Sequence, residues 1–111
     1  MSADYVVVFY GAEVAVSAYE VRACETDSHS LMKSARAVGM DTHWANFISE
    51  KGHGFELLVG RRFGIVGPED SLESHVERGA VTRAIQEVDA FLARVGLPAL
   101  GKLIVRMHQT P

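Results

Sequence analysis

The stretch VGRRFGIVGPEDS, residues 59–71, sets three glycines and two adjacent arginines among hydrophobic residues, a composition shared by loops that cradle phosphate. The spacing does not fit such a loop. A Walker loop needs GxxxxGK followed by Ser or Thr, whereas Gly60, Gly64 and Gly67 stand four and three residues apart with no lysine behind them. A dinucleotide fingerprint is missing as well, since the nearby GHG at 52–54 has no third glycine.

The same residues predict a hairpin. FELLV and FGIV would be its arms, Gly60 with Arg61 and Arg62 its tip, and Gly64 a bulge or a place where an aromatic ring lies over the backbone. Arg61 and Arg62 are nevertheless candidate ligand residues, because paired guanidinium forks grip a carboxylate or phosphate without any nucleotide motif. The competing reading is a solvated pair at a loop tip.

The five histidines, at 29, 43, 53, 75 and 108, form no HxH, HExxH or HxxxH pair, so no metal site is expected and no cofactor is implied. Cys24 has Glu25, Asp27 and His29 close by in sequence, the components of a thiol nucleophile, but a lone cysteine in a helix reads first as a small buried hydrophobe. No GxSxG elbow offers a serine instead. Glu73 and Glu77, at helical spacing, and the adjacent Glu69 and Asp70 read as helix-start residues, with Asp70 as cap and Glu73 as its reciprocal partner.

A different route to chemistry runs through the aromatic residues. Tyr10, Tyr19, Trp44, Phe47, Phe55 and Phe63 are core residues by default, yet Tyr19 and Trp44 with His43 or Asn46 as polar contacts would line a small-molecule pocket. The candidate ligand-binding set is therefore Tyr19, His43, Trp44, Asn46, Arg61 and Arg62, with no catalytic residue assigned.

These residues must be positioned by a single domain covering residues 1–111, with 48% hydrophobic and 23% charged residues and no repeat or low-complexity tract. YVVVFY at 5–10 predicts a central strand, continued after a turn or bulge at Gly11 by Val14 and Val16. Ser17 and Glu20 have capping-box spacing ahead of a helix at about 18–25, and TDS at 26–28 would cap a second helix carrying Leu31, Ala35 and Val38, ended by Gly39. Alternation over 42–49, the turn-rich SEKGHG and FELLVG predict an antiparallel hairpin. Residues 70–78 fit helix, strand or loop. Beyond Gly79, Val81, Ile85, Val88, Leu92 and Val95 form an amphipathic stripe closed by Gly96 and Pro98. KLIVRMH at 102–108 ends the chain as a strand, with Leu103, Val105 and Met107 alternating against Lys102, Ile104, Arg106 and His108.

The expected fold is α+β: a two-layer sandwich in which an antiparallel or mixed sheet of about five strands carries two or three helices mainly on one face. A net charge of −3 argues against nucleic acid as the partner. The single cysteine excludes an internal disulfide and points to a reducing compartment, and no apolar run approaches the roughly 20 residues of a membrane span. The N-terminal apolar run lacks the basic flank of a signal peptide, so the expectation is a cytoplasmic chain that touches no membrane. The leading function is a binding module for a small ligand or protein partner. The alternatives are a homodimer or other homo-oligomeric interaction protein without a ligand site, and a small metal-free enzyme.

Overall fold

The computed structural model describes residues 4–49, 52–66, 76–97 and 100–109. Along the chain they form β1 (Asp4–Val16), α1 (Ala18–Glu25), α2 (Ser30–Ala37), β2 (Asp41–Ser49), β3 (Gly52–Val66), α3 (Arg78–Arg94) and β4 (Lys102–Gln109). The four strands make one sheet in the order β2-β3-β1-β4, and every adjacent pair is antiparallel. β1 and β2 are thus parallel to each other with β3 between them, and β3 and β4 are parallel with β1 between them. Two interleaved split β-α-β units of this kind are the ferredoxin-like arrangement.

The α+β class is as expected, but among the described residues the sheet has four strands rather than about five, because the hairpin expected at residues 60–62 does not exist. β3 runs unbroken through Gly60, Arg61 and Arg62 and pairs with β1 from Val16↔Phe55 to Val6↔Val66. The thirteen-residue β1 offers a continuous partner, so continuing the ladder satisfies more backbone groups than reversing it. Gly11 lies opposite Gly60. A Cβ on Gly11 would run into the Val59 carbonyl oxygen, and one on Gly60, where φ is +152°, into the Tyr10 carbonyl oxygen. The glycines that suggested a turn therefore allow two backbones to cross closely. One register shift follows, where Val8 pairs with Gly64 but Phe9 with Arg62, leaving Phe63 as the extra residue of a bulge.

The local signals for α1 are realised at Ser17, whose N–H and Oγ–H donate to Glu20 Oε1 at 3.2 and 3.0 Å. α2 is capped by His29 rather than by the preceding TDS. Its Nδ1 accepts from the Leu31 N–H at 3.2 Å, which leaves the proton on Nε2 to donate to Glu20 Oε2 at 2.6 Å. One imidazole thus starts α2 and ties it to α1. Glu20 is held below the usual carboxylate value, chiefly by this bond and then by Ser17.

The main core lies between the sheet and the helices and contains Val16, Cys24, Met32, Ala35, Leu57, Val59, Val88, Phe91 and Leu92. α3 buries Ala84, Val88, Phe91 and Leu92, so its inner face is turned slightly from the expected stripe and Ile85 is left 37% exposed. A smaller cluster of Val7, Phe9, Leu58 and Ile104 occupies the opposite face of the sheet. On β4 the buried face is that of Ile104, while Leu103 and Val105 are 64% and 62% exposed. α3 packs chiefly on β1 and β3, so the helix-side surface of this edge strand is left uncovered. No helix among the described residues is long and apolar enough to cross a membrane.

Candidate functional site: a cleft between β3 and α3

Beyond Gly60, β3 has no β2 neighbour, because β2 begins at Asp41 opposite Gly60. This free margin of β3 and the first half of α3 enclose an open cleft of about 310 Å³ lined by Arg61, Arg62, Phe63, Val76, Ala80, Arg83, Ala84 and Glu87. The residues from α3 recur at three- and four-residue steps, which is the spacing of one helix face. Phe63, Val76, Ala80 and Ala84 supply apolar wall, and the charged groups comprise three arginines against one glutamate.

Arg61 is committed to the fold. It points to the helix side, where its guanidinium donates to the Gly39 carbonyl at 3.0 Å and to Glu87 Oε2 at 3.4 Å, with Asp41 at 3.8 Å. It ties the end of α2, the start of β2 and α3 to the sheet. Asp41 also accepts the Arg62 N–H at 2.9 Å, which satisfies a strand-edge donor that has lost its ladder partner. The exposed guanidinium groups of Arg62 and Arg83 are different, since no carboxylate of the described residues pairs with either. The Arg83 charge is therefore available to a ligand in the cleft, whereas Arg62 alternates with Arg61, pairs with Phe9 and acts on His43, so its side chain leaves the strand on the opposite face of the sheet. Compared with known proteins, the chain matches no family model, no curated protein and no solved structure.

Of the residues singled out from sequence, the cleft gathers Arg61 and Arg62. Trp44 lies under the helices against the main core, with its ring 6.2 Å from that of Phe55. His43, the next residue on β2, pairs with Leu58 and faces the opposite side of the sheet, so it shares no pocket with Trp44 in this chain. Tyr19 is 94% exposed on α1 and encloses nothing. Asn46 is placed only by its backbone, opposite Phe55, and its side chain lies outside the described residues. The expected cap at Asp70 with Glu73 also lies outside them, while Glu77 is the N-cap position of α3. Among the described residues no three His, Cys, Asp or Glu side chains gather where they could hold a metal. Cys24 is fully buried, and burial, then the Glu20 charge, pushes its thiol up, which disfavours the thiolate.

Val76, Ala80, Arg83 and Glu87 were missed by sequence reasoning. Arg83 and Glu87 stand at i, i+4 and read as an ordinary solvated helix pair. Only the proximity of β3 shows that Glu87 is taken by Arg61 and that Arg83 is left over.

His43 is held below its ordinary value of 6.5 by burial and, secondarily, by the Arg62 charge. The unfolded chain therefore takes up a proton at this position before the folded one does. Stability from neutral His43 is complete above the unfolded pKa and is lost as pH falls toward the folded one. His43→Gln is expected to flatten the acid side of the stability curve, read by urea unfolding at intervals between about pH 5 and 8. An unchanged slope would remove His43 as its cause.

Proposed function

We propose that the protein is a binding module whose cleft between β3 and α3 holds a small organic anion, a carboxylate or phosphate attached to apolar carbon. The observation that carries this reading is Arg83: with Glu87 taken by Arg61, it stands on an apolar cleft wall without a carboxylate partner among the described residues, in a chain of net charge −3. Arg61 and Glu87 largely neutralise each other, which leaves Arg83 for the anionic group with Arg62 at the rim of the cleft, while Phe63, Val76, Ala80 and Ala84 accept the carbon portion. The volume suits a metabolite-sized ligand.

Titration with inorganic phosphate, phenyl phosphate and benzoate, followed by amide NMR, tests the proposal. Phenyl phosphate is expected to shift residues 61–63 and 80–87 and to bind more tightly than inorganic phosphate. Arg83→Ala removes an exposed side chain with no carboxylate partner among the described residues and is expected to weaken binding at least about tenfold without changing stability. Undisturbed cleft signals at millimolar concentrations of all three compounds would end the proposal.

A further inference from the structure

Four of the eight large hydrophobics left exposed among the described residues gather at the other end of the sheet, along β4. This strand is the outer neighbour of β1, and Leu103 and Val105 pair with Tyr10 and Val8 on the helix-bearing side. Tyr10 donates its hydroxyl to Asp89 of α3 at 2.9 Å, and the same carboxylate oxygen accepts the Gly101 N–H at 2.8 Å. Ile85 lies one helical turn before Asp89, and Leu100 directly precedes Gly101. Ile85, Leu100, Leu103 and Val105 therefore share one flank of the molecule, with exposures of 37%, 77%, 64% and 62%.

We infer that β4 pairs with β4 of a second copy about a two-fold axis, joining two four-stranded sheets into one of eight. Charge supports this occupant. Edge strands are normally protected from one another by lysines and by charges on the strand. Here the two strand cations are neutralised within their own sheet: Lys102 Nζ lies 2.9 Å from Glu13 Oε1, and Arg106 bonds Glu13 and lies 3.3 Å from Glu56. Two positive and two negative groups cancel, so a second β4 with the same cations meets no net repulsion. The uncharged strip offers nothing specific to a partner of opposite charge.

The strand also matches itself. In an antiparallel pairing each side chain stays on its own face of the sheet, and an axis beside Ile104 sets Leu103 of one copy against Val105 of the other. The exposed parts of Leu100, Leu103 and Val105 amount to roughly 300 Å² per copy, about as much as the largest patch on a typical monomer. Both copies together supply about 600 Å² of apolar area. The paired strand backbones and the α3 flanks add to it, approaching the ~1,200 Å² at which stable interfaces begin.

Sedimentation equilibrium from micromolar to submillimolar concentration tests the inference, with hydrogen exchange on the same samples. The wild-type chain is expected to dimerise, and alternate β4 amides that point away from β1 are expected to gain protection as the dimer fills. Val105→Lys, at a position exposed in the single chain, is expected to keep its circular dichroism spectrum, weaken the dimer at least tenfold and lose that protection. Leu103→Lys is expected to do the same. A monomer throughout, or a dimer that both variants leave intact, would overturn the inference.

Discussion

Gly60→Ala is expected to cost about 4 kcal/mol, a large fraction of the stability of a domain this size. The methyl group has nowhere to go. It would enter the Tyr10 carbonyl oxygen and stand 2.8 Å from the Gly11 Cα, and both obstacles are backbone in the central pair of strands. The +152° φ adds strain, because side-chain-bearing residues rarely adopt it. Relief would require β1 and β3 to separate where both cores meet.

Gly39→Ala provides the comparison. Gly39 also has positive φ, at +74°, but a Cβ there meets nothing within 4 Å. It should cost only the left-handed penalty of about 1 kcal/mol. The difference between the two variants, measured by urea unfolding under far-UV circular dichroism, reads the strand crossing together with the more restricted dihedral of Gly60. Equal losses would show that the close approach of Gly11 and Gly60 carries no special weight.

That pair also explains how far the fold was legible in the sequence. Glycine serves a tight turn and a close backbone crossing equally well, and residues 55–66 alone do not distinguish them. The deciding information is the length of β1, more than forty residues away in sequence. Signals acting over a few residues were more reliable: Ser17 and Glu20 begin α1, Gly39 and Gly96 end α2 and α3 with positive φ, and the β2–β3 hairpin forms from Ser49↔Gly52 onward. His29 escaped notice as a cap because its imidazole can accept from the helix only in one neutral tautomer.

Alternation in β4 correctly separated Leu103 and Val105 from Ile104 and Arg106, but it could not show which set would be covered. Coverage depends on where α3 settles, and α3 settles over β1 and β3. The candidate site was half legible for the same reason. Arg61 and Arg62 drew attention as adjacent cations, whereas the value of Arg83 depends on a helix packing beside a strand margin. An arginine is available to a ligand only when its neighbours in space, not in sequence, leave it without a carboxylate.

Arg106→Ala is the second large effect expected, a loss of about 3 kcal/mol, although its exposure of 25% keeps it below the cost for a fully buried ion. Arg106 connects three strands, bonding Glu13 on β1 and reaching Glu56 on β3 at 3.3 Å. Glu56 Oε2 is buried without a hydrogen bond, so the Arg106 charge is its nearest described compensation. Removing the guanidinium leaves two largely covered carboxylates beside Leu58, with Lys102 answering only Glu13. If uncompensated charge causes the loss, Glu56→Gln should recover most of it in the Arg106→Ala background while costing the wild-type chain little. If the loss comes instead from the missing aliphatic stem over Ile104 and Phe9, Arg106→Met should restore stability and Glu56→Gln should not. Urea unfolding of the three single replacements and the one double replacement distinguishes these causes, and a ladder that held equally well with Arg106→Ala would show that charge does not bind this face of the sheet.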